Sequence, residues 1–206
     1  MSPNWMKALS IITPTILLAT RWSFARQGGG LPEGSEPDES DGPRKTVAEA
    51  HVAVASADTF EVVVGRLEAA IGGPKIEPFQ SVAHGSTSQE DFEKKIEARL
   101  GPSGFMKFYE VDHGPWMALH GVKVKSKQYV IGNPLIARKI VPHDPAAGFY
   151  VPVRVGVYED KQGKAWVQYD RPSASLGLSR DPRIDEVGRL LDDKLARLAE
   201  MATSGK

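Results

Sequence analysis

The sequence predicts an α+β domain, an antiparallel sheet with helices packed on one face. Three observations carry this reading. Strand-like runs come in groups instead of alternating with long helices, which favours antiparallel pairing over a parallel α/β sheet. Two clear helical apolar stripes flank those groups. The turn signal Asp160-Lys161-Gln162-Gly163 joins two β-patterned runs directly, as a hairpin does. The order is strand, helix, two strands, short helix, two strands, helix, and no internal repeat interrupts it.

Each element has its own signal. Val52-Ala53-Val54-Ala55 is β-patterned and short. Asp58 then reads as a helix N-cap, with Glu61 three residues on in the capping-box position. Phe60, Val63, Val64, Leu67 and Ile71 follow at helical spacing, and Gly72-Gly73-Pro74 stops the helix. Residues 74–103 form an excursion. Within it Ser88 caps a helix carrying Phe92, Ile96 and Leu100 on a stripe narrow enough for a surface position, ended by Gly101-Pro102. Phe105 to Asp112 and Gly121 to Ile131 are strand-like, the second broken by Lys125-Ser126-Lys127. Alternation of Lys123, Lys125 and Lys127 puts the lysines on one solvated strand face, which would also protect an edge. Pro134 to Ile140 is a short helix. Val151 to Tyr158 and Ala165 to Tyr169 are the arms of the hairpin. The last helix begins at Asp181 and Pro182 and carries Ile184, Val187, Leu191, Leu195 and Leu198 on one face.

Composition narrows the function classes. The hydrophobic fraction is 41% and the charged fraction 25%, both ordinary for a chain with a packed core. Lys plus Arg matches Asp plus Glu at 26 each, so no global basic field collects phosphates and no nucleic-acid partner is expected. The chain has no cysteine, which excludes disulfides, thiolate nucleophiles and zinc–thiolate sites. Residues 1–27 are a hydrophobic, targeting-like segment. The run Ala8 to Thr20 is short for a bilayer span but has the length of a secretory h-region, with Ser23-Phe24-Ala25 as a small-x-small site. Arg21, Arg26 and the lack of acids before Glu33 leave a mitochondrial presequence as the rival, and the secretory reading is favoured. Contact with a membrane is expected only through this segment if it stays uncleaved. Residues 28–45 are Gly-, Pro- and acid-rich with a single Leu and read as a disordered linker, so one domain is expected over 46–203.

The central residues resemble a known family. Phe105 to Gly114, ending Asp112-His113, the triplet Gly132-Asn133-Pro134, and Val151 to Asp160 followed by Gly163, Trp166, Tyr169 and Pro172 resemble the DUF302 family (domain of unknown function 302). The stretch Gly132 to Ala137 with His143 to Gly148 looks like its fungal branch, and the excursion 74–103 departs from the shorter bacterial members. The resemblance implies a TATA-binding-protein-like β-α-β-β-α-β-β-α order. It implies no substrate, cofactor or catalytic residue.

Candidate site residues follow from chemistry. His113 beside Asp112 could transfer a proton, yet neighbours on a strand face opposite ways, so a regular strand leaves Asp112 unable to orient the imidazole. A strand-end His bonded to a backbone carbonyl is the plainer reading. Asn133 could donate to a ligand, or simply cap the helix that Pro134 begins. His143-Asp144 sits in a loop bracketed by Pro142 and Pro145. With His113 and His120 it lacks any diagnostic metal spacing, so no metal or cofactor is expected. Trp116, Phe149, Tyr150, Tyr158, Trp166 and Tyr169 could line an apolar cleft or serve as cross-strand pairs and core. Asn133, His143, Tyr150 and Trp116 are the ligand-binding candidates. The function expected is a small-molecule-binding domain, with His113 in proton transfer if it is an enzyme, and by analogy alone the tailoring of a metabolite in a fungus. The alternative is a non-catalytic, self-associating module, a homodimer formed through the sheet or the excursion.

Overall fold

The computed structural model describes residues 51–72 and 79–204, all within one compact unit. The targeting-like segment 1–27 and the linker 28–45 lie outside the described residues. Strand β1 (His51–Ala55) leads to helix α1 (Phe60–Ala70), then α2 (Phe79–His84) and α3 (Gln89–Glu97). Strand β2 (Met106–Asp112), helix α4 (His113–Ala118) and strand β3 (Ser126–Gly132) follow. Helix α5 (Pro134–Ala137) and a 3-10 turn (Pro145–Tyr150) precede β4 (Val153–Glu159) and β5 (Ala165–Asp170). Helix α6 (Pro172–Leu176), a second 3-10 turn and the long α7 (Pro182–Ser204) end the chain.

The five strands form one antiparallel sheet in the order β1-β5-β4-β3-β2. Without α2, α3, α4 and α6 the order is the expected β-α-β-β-α-β-β-α, with the single-turn α5 as its middle helix. Alternation along β4 and β5 sends Val153, Val155, Val157, Ala165, Val167 and Tyr169 to one face, where all are buried. Helices α1 and α7 cover that face with Val63, Leu67, Ile184, Leu191, Leu195 and Leu198. Each such side chain contributes roughly 1.5–3 kcal/mol by leaving water. The other face of the sheet carries no helix of comparable length.

Several local expectations shift. The α1 cap is Thr59, whose Oγ1 accepts from Val62 N at 3.5 Å. Asp58 pairs instead with Arg66 at 2.6 Å, and Glu61 with Lys125 at 3.0 Å. Strand β3 starts only at Ser126, so Lys123 and Lys125 precede it, and β3 lies between β2 and β4, not at an edge. Lys127 is not solvated in the way expected: it turns toward α1 and meets Glu68 at 3.3 Å, Glu110 at 3.7 Å and Asp112 at 3.9 Å. These carboxylates recruit it because Tyr129, next in register on the same face, buries its ring and donates its hydroxyl to Glu68 at 2.9 Å. Lys107, almost wholly buried, is held by Glu110.

The excursion is closed at its neck. Gly72 has φ +94°, outside the range L side chains favour, and a Cβ there would lie 2.8 Å from Arg99 O. A Cβ on Gly101 would lie 2.2 Å from Gly72 N and 2.3 Å from Ala70 O. The outgoing and returning backbones therefore touch. The next turn is fixed three ways: Ser103 Oγ donates to Ala70 O at 2.7 Å, Lys194 Nζ to Ser103 O at 3.0 Å, and Asn133 Nδ2 to Gly104 O at 3.0 Å.

Burial pushes the Tyr129 phenol up, and its bond to Glu68 adds to the shift. A raised pKa means that the fold prefers the neutral phenol. That stabilisation is complete below the unfolded value near 10 and drains as pH climbs from there toward the folded value. Tyr129→Phe should cost roughly 1–2 kcal/mol near neutral pH. In urea melts it should also lose stability less steeply than wild type above about pH 10. Parallel curves would contradict the assignment.

Candidate functional site

Two concave sites stand out, and they differ in chemistry. The larger is a cavity of about 720 Å³ where β2 begins, β3 ends and β4 starts. Its outer wall is the excursion: Phe79 of α2 and Phe92 of α3. Phe79 stands edge-on to Phe92 (6.2 Å, 74°) and to Phe108 of β2 (5.8 Å, 78°). Ile96 and Met106, both buried, fasten the excursion to the sheet behind these rings. The inner wall is the core itself, Phe105, Val153 and Leu191. At Gly132 a side chain would press on the Phe108 ring at 3.0 Å and on Pro152 at 3.2 Å, so glycine lets those groups approach.

Few polar groups face this cavity. Asn133 lines it, but its amide is fully used: Oδ1 accepts from Leu135 N at 2.8 Å as the α5 cap, and Nδ2 holds Gly104. Arg138 on the α5 side is paired with Glu93 of α3, which also accepts from Gln89 at 2.7 Å. Those two partners, Gln89 first, hold the Glu93 carboxyl below its ordinary range. The ion pair ties α5 to α3 beside the cavity. Gln80 is the third polar lining group.

The smaller site is a polar cleft of about 260 Å³ on the helix-free face of the sheet. One row of paired residues crosses it: Ala53, Gln168, Gly156, Gln128 and Val111, from β1 through to β2. Gly156 lies between the two glutamines and keeps the middle of the row low. Arg154, His51 and Asp170 close one end, with His51 Nδ1 at 2.8 Å from Asp170 Oδ1. His113 lines it from α4.

The sequence-predicted residues are therefore dispersed. The strand does not run regularly through His113: α4 begins there because Asp112 Oδ1 accepts from Gly114 N at 3.0 Å. Asp112 turns to the Lys127 side as a helix cap and does not orient His113, whose ring lies edge-on to Trp116 at 5.8 Å. Trp116 and His143 are exposed and line neither site. Tyr150 packs against the main core beside Phe149, and Asp144 caps the 3-10 turn through Ala146 N at 2.9 Å. Tyr158 and Trp166 are a cross-strand stack at 6.4 Å, with Trp166 Nε1 donating to Asp160 at 2.8 Å. Among the described residues no group of three or more His, Asp or Glu could hold a metal. What sequence reasoning missed is the phenylalanine set at positions 79, 92, 105 and 108, and the pairing of His51 with Asp170. The second pair is 119 positions apart and is joined only by the β1–β5 register.

A five-stranded antiparallel sheet with helices on one face places the protein in the α+β class. The chain belongs to the DUF302 family, "Domain of unknown function DUF302", whose model matches residues 81–202. Among solved structures it is similar to an uncharacterized conserved DUF302 protein from Bacillus stearothermophilus, with TM-score 0.52 and 16% identity, covering 75% of this chain and 99% of that one. Two curated relatives are similar at 29% identity over 97 residues, 44% of this chain. They are the fluoride-specific ion channels FluC 1 of Brucella suis biovar 1 (strain 1330) and FluC 1 of Brucella abortus biovar 1 (strain 9-941). The matched segment spans 38% and 36% of their respective lengths. Among the described residues no helix is long and apolar enough to cross a membrane.

Proposed function

We propose that this chain is a small-molecule-binding domain whose ligand is predominantly apolar and occupies the phenylalanine-walled cavity. The observation that carries this reading is the cavity itself. Its volume of about 720 Å³ falls in the range of sites that bury a metabolite-sized molecule. Its walls are aromatic and aliphatic, and its best-placed amide, Asn133, is already satisfied within the protein. Water against such walls is released when an apolar ligand covers them, which favours binding in proportion to the apolar area buried. Proton transfer by His113 is not part of this reading, because His113 lines the polar cleft and not the cavity. Metabolite tailoring would require a substrate at that other face.

A second reading, self-association, is favoured by the exposed Trp116, Leu119, Val122 and Val124 along α4 and the segment after it. The excursion supports it less, since Phe92 and Ile96 are turned inward. A strictly monomeric mass by light scattering at working concentrations would remove it.

The cavity reading is tested with the neutral apolar fluorophore N-phenyl-1-naphthylamine and the full chain. Saturable fluorescence enhancement is expected. Ala137→Trp, which fills the cavity from α5, should weaken the apparent affinity by about tenfold or more while the melting temperature stays within a few degrees. Enhancement that never saturates, or that ignores Ala137→Trp, would overturn the proposal.

A further inference from the structure

The polar cleft on the open sheet face is a site in its own right, built from groups that the fold has little other reason to gather. Gly156 sits on the central strand β4 between Gln128 and Gln168 in register. A Cβ at 156 would come within 3.1 Å of the Gln168 side chain, so glycine here is what lets that carboxamide lie close against β4 at the bottom of the cleft. The two carboxamides flank it. Among the described residues neither has a hydrogen-bond partner within the protein, so each keeps two N–H donors available.

The rest of the rim adds donors. Arg154 projects from β4 and is mostly exposed. Its nearest carboxylate, Asp170, is 4.0 Å away, at the limit of an ion pair, so its fork of donors is largely open. Asp170 is taken up chiefly by His51 at 2.8 Å. That bond engages His51 through Nδ1, so its ring adds a donor toward an anion only when it is protonated. His113 brings a second imidazole from α4, and its ring is steadied by Trp116. The cleft thus offers a guanidinium, two primary amides and two imidazoles around a glycine floor, with one acid that is already engaged at its margin.

We propose that this cleft binds a small oxyanion group, the phosphate or carboxylate of a metabolite, with Arg154 as the charged anchor and Gln128 and Gln168 as flanking donors. Charge-assisted bonds from a guanidinium fork suit the geometry of either group. The site is independent of the apolar cavity: it shares no lining residue with it and lies on the opposite side of β4 from Val153.

The test is an amide-resolved NMR titration of the full chain with inorganic phosphate and, separately, with acetate. Saturable shifts are expected at Gly156, Gln128, Gln168 and His51, with a dissociation constant below about 1 mM for the better anion. Preference for phosphate would point to a phosphate ester, and preference for acetate to a carboxylic acid. Arg154→Ala, and independently Gly156→Val, which fills the floor, should each weaken binding about tenfold or more. Both should leave binding of the apolar fluorophore unchanged, which shows that the fold is intact and separates this site from the cavity. Shifts that fail to saturate, that scatter over surface lysines, or that persist equally in both variants would overturn the proposal.

Discussion

The crossing of two backbone segments at Gly72 and Gly101 is the constraint on which the functional architecture rests. Neither position tolerates a side chain, because each would place a Cβ against the other segment's main chain. The chain can therefore leave the end of α1, build two helices, and return to the same point to begin β2. The returning turn is then shared among three elements: α1 through Ala70, α7 through Lys194, and the α5 cap through Asn133. Burial lowers the pKa of the Lys194 ammonium, which lies 5.5 Å from the Phe105 ring centroid. A segment anchored at both ends in this way can serve as a wall, because its helices stand at a fixed place over the sheet's end.

The sheet separates two kinds of chemistry. Its helix-covered face holds the apolar core and, toward β2, the Tyr129–Glu68–Lys127–Glu110 network, where buried polar atoms are satisfied by one another. Its other face carries small and polar residues around Gly156, with the Tyr158–Trp166 stack beyond them. One strand can thus present Val155 to the core and Arg154 and Gly156 to solvent. The cavity lies at the end of the sheet where this two-sided order stops and loops take over. Sites at such ends draw on several segments at once, which is why its wall combines residues from both halves of the chain.

Much of the fold was legible because its signals are local and periodic. The stripe Ile184, Val187, Leu191, Leu195, Leu198 could only be a core-facing helix, and the Asp160–Gly163 turn could only join neighbours in an antiparallel sheet. Boundaries were harder. The α1 cap moved by one residue because Asp58 found Arg66, and β3 began late because its pairing with β4 and β2 starts at Ser126 and Lys127. The sites were less legible still. The triplet Gly132-Asn133-Pro134 drew attention and proved to be a helix cap, although Gly132 and Asn133 also border the cavity. The aromatics at 116, 149, 150, 158, 166 and 169 are prominent in sequence, yet the cavity is lined by phenylalanines from the excursion, from the residue before β2 and from β2 itself. Which aromatic faces a void is set by tertiary packing, and no spacing encodes it. His51 and Asp170 were equally invisible, since only strand register makes them neighbours.

The account's central claim is that the Gly72–Gly101 crossing holds α2 and α3 in place as a wall. Amide hydrogen exchange on the full chain carrying Gly101→Ala addresses it most directly. A Cβ there meets main-chain atoms that have no freedom to rotate aside. The account predicts selective loss of protection in α2 and α3, while α1, α7 and strands β3 to β5 stay protected. Retained protection in α2 and α3, or an even loss across the whole domain, would contradict it.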